Sequence, residues 1–367
     1  MRMIAALATL AALVVSPALA ASDVYIGVSA PLTGDNAEYG NYFKTAALLA
    51  QKTINDRGGI KGQKLQLLIE DSKADPKEAI LIAQKFVSDP RVLAVVGDFN
   101  SSASMAAAEI YNDGGLVQIS PTASHPDFTK KGEYIFRAGT TQSMEGAFLA
   151  RWAVRDLGHK KIGTIYVNND WGLVANKVFA ETAKQLGADV VNQESFIPGD
   201  KDFTAIVTKI MDAKPDMVFL AVQWADAALI ATQMKSLGLK TDLMGPGSLS
   251  TENLVKNAGD AVEGIRANAI YFAGDTRSVS ADYTKAYAAT YGRPPHDHSA
   301  LTYDAVMLLA NAIERGGVDR KAIRDALAAT DGFEGVTGKF RFDADRNPVK
   351  DFSKIMVKNG KWQMADK

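Results

Sequence analysis

The sequence contains no cysteine, which removes disulfide bonds, thiolate chemistry and a lipid-modified N-terminal cysteine together. Such a chain must hold its fold through hydrophobic cores alone. Nor is charge of either sign in excess: the net charge is −1, with Lys and Glu interspersed. That excludes the basic field of a nucleic-acid binder and the polybasic patch of a membrane-surface protein. After the first twenty residues no apolar run approaches the roughly 20 residues that a spanning helix needs. There is no Walker A loop, no G-x-S-x-G elbow and no GxGxxG opening a helix. Histidine is scarce, four in 367 residues. Of these, His296 and His298 flank Asp297 beside Arg293-Pro294-Pro295 and read as a surface loop before a helix rather than as a metal pair. The stretch Asp343-Ala344-Asp345-Arg346-Asn347 starts like a calcium loop, but Pro348 stands where its glycine belongs and Lys354 where its glutamate belongs. No catalytic residue, metal or cofactor is therefore assigned, and the chain reads as a binding protein, not an enzyme.

What is present begins with an export signal. Arg2 precedes the apolar stretch Ile4 to Val15, and Ser16-Pro17-Ala18-Leu19-Ala20 supplies a helix break and a small-x-small cleavage site before Ala21. Residues 1–20 are expected to be removed. A soluble protein diffusing freely in a bacterial periplasm follows. At 367 residues, 47% hydrophobic and 23% charged, the chain is ordinary globular material, too long for one core, so two lobes are expected.

The grammar along the chain is alternating β and α. Val24 to Val28 is a short apolar strand, followed by a helical pattern with Phe43, Ala46, Ala47, Ala50 and Ile54 on one face. The strand Leu65 to Glu70 leads through Asp75-Pro76, a cap and first-turn proline, to the helix Lys77 to Val87 and the buried strand Leu93 to Val96. After Arg137 the grammar restarts and runs to a helix at Ala225 to Leu237. The tail reads as strand pairs around the turn cluster Asp345-Arg346-Asn347-Pro348. Strands that are continuous apolar runs between helices predict doubly wound parallel sheets.

In such sheets ligands bind beyond the strand carboxyl ends. The strand ending at Val96 runs through Gly97-Asp98-Phe99-Asn100-Ser101-Ser102 into a helix from Met105 to Tyr111, bringing hydroxyls and free backbone N–H groups to a helix start that suits a carboxylate. Ser101 or Ser102 could equally be a plain N-cap. Ser120-Pro121-Thr122-Ala123-Ser124 offers a second such cluster. Tyr39, Trp171 and Trp224 place aromatic rings at three further strand ends, which together suggest the apolar wall of a solute cleft.

With these features the chain resembles the periplasmic leucine/isoleucine/valine-binding protein family, the type I solute receptors of ATP-driven (ABC) importers. The resemblance rests on Ala30-Pro31-Leu32-Thr33-Gly34, Ile54 to Gly62, Val96 to Ser102, Ile119 to Ala123, Asp170-Trp171-Gly172 and Lys201-Asp202-Phe203 as a set. It implies two α/β lobes joined by a three-crossing hinge, residues 21–141 with 273–352 forming the first and 142–272 with 353–367 the second. It implies a ligand carboxylate and part of its ammonium held at Ser101, Thr122, Ala123 and Ser124, with Tyr39 and Trp171 lining the side-chain pocket. It also implies membrane permease subunits as partners and a monomeric state. Replacing Ser101 by Ala together with Thr122 by Val is expected to weaken binding while sparing ligand-free stability.

The departures bear on the solute. Amino-acid binders of the family commonly place an acid near the positions of Gln142 and Gly247, where it meets the α-ammonium. Neither residue here is acidic, and a buried ammonium without an acceptor costs several kcal/mol. Asp226, Glu145 or a set of carbonyls must then accept it, or the solute lacks an ammonium. The expected ligand is a branched-chain or other neutral amino acid, the alternative an aromatic carboxylate, short amide or urea. Trp224 beside Gln223 could stack on an aromatic acid or fill space against a small side chain. A periplasmic enzyme is the remote alternative.

Overall fold

Every residue of β1 (Val24–Ala30) except Tyr25 is buried, as befits a strand covered by helices on both faces. The computed structural model describes residues 23–273 and 277–366, so the expected leader, residues 1–20, lies outside the described residues. From β1 the chain continues through α1 (Ala37–Asp56), β2 (Leu65–Asp71), α2 (Pro76–Ser88), β3 (Val92–Val96), α3 (Ser101–Asp113), β4 (Val117–Ser120) and β5 (Ile135–Arg137). These strands form one parallel sheet in the order β2-β1-β3-β4-β5. Asp75 caps α2 as its position suggests: its carboxylate accepts from the Lys77 and Glu78 N–H groups, and Pro76 sits at the first turn.

The alternation restarts with α4 (Gln142–Arg151), then β6 (Lys161–Val167), α5 (Asp170–Gln185), β7 (Asp189–Phe196), α6 (Thr204–Ala213), β8 (Met217–Ala221), α7 (Trp224–Ser236), β9 (Asp242–Gly245), α8 (Glu252–Ala258) and β10 (Arg266–Ala269). Their order, β7-β6-β8-β9-β10, repeats the winding of the first sheet.

The chain then returns. α9 (Ser278–Tyr291), α10 (Asp297–Gly316) and α11 (Arg320–Ala328) cover the first sheet, where Ala300, Val306, Leu309 and Ile313 share one core with Phe43, Ala46 and Ala50. The hairpin of β11 (Asp331–Gly335) and β12 (Gly338–Arg341) is tied to α10 by buried Asp304, which accepts from the Val336 and Thr337 N–H groups at 2.8 Å and from the Thr337 hydroxyl at 2.6 Å. Finally β13 (Ser353–Lys358) and β14 (Lys361–Met364) join the second sheet, β13 antiparallel to β10.

One expectation changes here. The second sheet is not wholly parallel, because Asn359 and Gly360 both adopt positive φ, 54° and 69°, and make the tight two-residue turn of a hairpin. The tail strands do form pairs on either side of Asp345–Pro348: each pair is its own hairpin, and the turn cluster between them is closed by a bridge from Phe342 to Pro348. Three segments thus pass between the sheets: β5 to α4, β10 to α9, and β12 to β13. Each sheet reverses its winding between β1 and β3, or between β6 and β8, and at these points a crevice opens beyond the strand carboxyl ends.

Candidate functional site

The two crevices face each other across a cavity of ≈ 60 Å³. Phe99 and Asn100 reach it from the end of β3, Trp171 from the end of β6 and Gln223 from the end of β8, while Asn268 and His298 close it from the hinge side. A wider groove of ≈ 590 Å³ opens on the far side of His296 and Asp297, lined among others by Tyr42, Arg293 and Trp362. The smaller cavity is the candidate site, because it alone sits at both winding reversals.

Its first-lobe wall is the loop after β4. The Ser120 hydroxyl donates to the Asp98 carbonyl at 2.6 Å and accepts from the Ala123 N–H at 2.9 Å, while the Thr122 hydroxyl donates to the Phe99 carbonyl at 2.6 Å. Behind the loop lies Arg137, wholly buried. It donates to the carbonyls of His125 at 2.7 Å, Ala123 at 3.0 Å and Thr140 at 3.4 Å. A guanidinium presents several donors in a rigid fork, so one side chain fixes three loop carbonyls. Burial draws its pKa down to about 9, which still leaves it charged at neutral pH.

The rest of the lining is acidic. Glu145, in the first turn of α4, accepts from Asn268 Nδ2 at 2.9 Å and from the Gly247 N–H at 3.4 Å. Burial raises its pKa, against those two hydrogen bonds. Asp297, the first residue of α10, accepts from the Tyr271 N–H at 2.9 Å. Burial pushes its carboxyl up to about 7, opposed by the backbone donors and seconded by the Glu145 charge. His298 is the reverse case: burial lowers it to about 3 and keeps the ring neutral. Three buried polar atoms on this lining, Asn268 Oδ1, Gln223 Oε1 and His298 Nδ1, have no hydrogen-bond partner. Buried polar atoms are normally satisfied, so these three are the atoms of the lining with hydrogen-bonding capacity to offer a solute.

Of the residues singled out from sequence, Thr122, Ser124 and Trp171 line the cavity. Ser101 does not. It is wholly buried, and its hydroxyl accepts from the His125 N–H at 3.2 Å. Ser102 stands at the exposed mouth and donates to Asp170 Oδ2 at 2.7 Å, a bond between the lobes. Neither serine caps α3: that helix starts at Ser101 rather than Met105, and Asn100 Oδ1 accepts from the Ala103 N–H at 2.7 Å. Ala123 packs into the core with Phe128 and Ile135. Tyr39 lies beneath the wall, stacked on Phe99 with 4.5 Å between ring centroids. Trp224 packs against both lobes' cores instead of the cavity, and its indole N–H has no partner. Asp226 also misses the cavity and lies in the field of Lys201, Asp35 and Asp200; burial lifts it to about 6.

Sequence reading passed over Asp297 and His298, expected on a surface loop. Both are buried, because the prolines end α9's connection and deliver them to the first turn of α10 against the hinge. Among the described residues no group of three metal-ligating side chains forms. Asn268 and Arg137 carried no sequence signal at all.

A model of the family described as periplasmic binding protein matches residues 23–361. The leucine-, isoleucine-, valine-, threonine- and alanine-binding protein of Pseudomonas aeruginosa is 31% identical over 344 residues, 92% of this chain and 90% of that protein. The branched-chain amino acid transporter substrate-binding protein of Streptococcus pneumoniae, solved in complex with isoleucine, is 30% identical with a TM-score of 0.88, covering 93% of this chain and 98% of that one. A solute-binding protein of an ABC transporter from R. palustris, solved with benzoate, shares the fold at 24% identity, with a TM-score of 0.86 and coverage of 93% and 95%.

Proposed function

The chain belongs to the periplasmic binding protein family, and from that premise we propose that it is the solute-binding component of an ABC importer for branched-chain or other neutral amino acids. The family binds solutes and does not transform them. The observation that carries the amino-acid reading is the Glu145 carboxylate in the cavity wall, bonded to Asn268 and Gly247, in a cavity that Thr122 and Ser124 also line. Position 247 is where the family resemblance leads one to expect an acid. Here glycine leaves that place open and Glu145 reaches it from α4. A zwitterion matches a cleft that offers both donors and an acid. A benzoate-like anion would meet the acid unpaired, at a large cost.

The small cavity supports a short side chain, since each water-sized centre needs about 10–15 Å³. Ser124 and the start of α3 are proposed to hold the carboxylate, with Thr122, whose hydroxyl proton is spent on the Phe99 carbonyl, shaping that wall and Trp171 and Phe99 against the side chain. The lobes are proposed to comprise 21–141 with 273–352 and 142–272 with 353–367, closing as rigid bodies about the three crossings. Export through a cleaved leader at residues 1–20 into the periplasm, a monomeric state and docking on permease subunits complete the reading. Isothermal titration against leucine, valine, alanine, 4-aminobutyrate and benzoate tests it. Heat with a neutral α-amino acid is expected; heat with benzoate alone would overturn it.

A further inference from the structure

Asn268 stands at the end of β10 with its side chain wholly inside the protein. Its Nδ2 is spent on Glu145, and its Oδ1 is left without a donor. On either side of it are two carboxylates from different parts of the chain, Glu145 on α4 and Asp297 on α10. They converge on Gly247: its N–H donates to Glu145 Oε1 at 3.4 Å, and a Cβ built on it would stand 3.5 Å from Asp297 Oδ2 and 3.1 Å from the Asn268 carbonyl. A side chain at 247 would crowd the space between the acids. Glycine keeps it open.

Resting on the amino-acid reading, we propose that Glu145, Asp297 and Asn268 Oδ1 form a cation subsite for a primary ammonium, and that the two acids hold one proton in the empty cleft which the ammonium displaces. An ammonium has three N–H donors, and these three acceptors match it in number. The stoichiometry balances: the acid pair with one proton carries one negative charge. It takes up one cation, releases one H⁺ and keeps both carboxylates ionised against the ammonium.

The surroundings leave the pair no other counter-charge. Around Glu145 stand Asn268, Gly247 and Asp297. Around Asp297 stand the Tyr271 and Ile270 N–H groups, Glu145, the rings of His296 and His298, which burial holds neutral, and Lys350. Lys350 is committed elsewhere, its amine 2.8 Å from Thr337 Oγ1 and in the field of Asp304. Two neighbouring acids, Asp297 buried and Glu145 half-buried, without a partner cation resist ionising together, so they titrate as a pair that keeps one proton more readily than either acid alone.

Two measurements decide this. In the ligand-free protein, infrared spectra should show a carboxylic-acid C=O component that fades only near pH 7, after those of the other buried acids such as Asp98 and Asp226 have gone near pH 6, and Asp297→Asn should remove that last component. No such last component in the native protein overturns the shared proton whatever the solute proves to be. Titration calorimetry with leucine and alanine in phosphate and Tris buffers below that pH should give enthalpies that differ between buffers by the ionisation heat of up to one released proton. Glu145→Gln should weaken binding on the order of tenfold, the worth of one charge-assisted hydrogen bond, and Asp297→Asn should abolish the buffer dependence. Buffer-independent enthalpy in the native protein, or full affinity in Glu145→Gln, overturns the subsite while leaving amino-acid binding intact. If neither amino acid binds the native protein, the functional reading and this subsite's ligand both fall, and the infrared band still judges the acid pair.

Discussion

The Tyr39 hydroxyl crosses from the first lobe to donate to the Ser248 carbonyl at 2.7 Å, and it accepts the Trp224 N–H at 3.2 Å in return. The ring is wholly buried and stacked on Phe99, so the hydroxyl has one place to be. Burial also raises its pKa far above the ordinary range, and the donor proton is always present. These bonds exist only while the lobes are together. Tyr39→Phe should therefore weaken the closed state by about 1–1.5 kcal/mol, lowering solute affinity roughly tenfold, chiefly through faster release. Stopped-flow dissociation measures it; an unchanged off-rate would count against a latch.

Ser101 and Ser124 should separate by effect. Ser101→Ala strands the half-buried His125 N–H and should lower ligand-free stability by about 1 kcal/mol. That revises the expectation of a binding-only change at this position. The Ser124 hydroxyl lines the cavity, and Ser124→Ala should leave ligand-free unfolding within about 0.5 kcal/mol of the parent while weakening solute binding about tenfold. Urea unfolding beside calorimetric titration reads both, and a reversed pattern would move the ligand contact to Ser101.

Arg137 touches no cavity surface, yet Arg137→Lys should loosen the loop that carries Thr122 and Ser124. An ammonium cannot span the carbonyls of Ala123, His125 and Thr140 as the guanidinium does. A loss of about 2 kcal/mol in stability is expected, together with weaker solute binding. Equal affinity in the two proteins would show that the loop holds its shape unaided.

Asp297 makes ligand-free stability pH-dependent with a definite sign. Its folded pKa is pushed up to about 7 by burial, against about 3.9 unfolded, so the native state holds more protons than the unfolded state between those values. This group's contribution is complete below pH ~4 and is lost as pH rises through about 7. Denaturant midpoints of the native protein and Asp297→Asn should diverge across that window, the variant gaining relative stability as pH rises. Parallel curves would mean that the carboxyl titrates normally.

Period and punctuation carried most of the fold into the sequence. Apolar runs such as Leu93 to Val96 and breaks such as Asp75-Pro76 are local signals, and local physics decides them. The tail's strand pair was legible, with Asn359-Gly360 as its turn, but that β13 lies antiparallel on β10 was not, because pairing partners are a tertiary choice. The site was legible only in part. Thr122, Ser124 and Trp171 follow strand ends and can be found that way. Glu145, Asn268, Asp297 and His298 meet through the hinge, from segments far apart in sequence, and no spacing rule brings them together. Ser101 misled because a hydroxyl near a helix start looks the same whether it faces a solute or a neighbouring loop.

The return of α9 to α11 to the first sheet also sets an order of events during folding. The core under Phe43 and Ala50 is completed by Val306, Leu309 and Ile313, and the core around Ile165 and Leu220 by Ile355 and Val357. A chain emerging from its N-terminus has the whole first sheet and α1 to α3 in hand and still lacks α9 to α11, which complete its cover. Neither lobe can finish before the last third of the chain arrives, so a truncation ahead of α9 should cost both halves at once, and one between β12 and β13 the second alone.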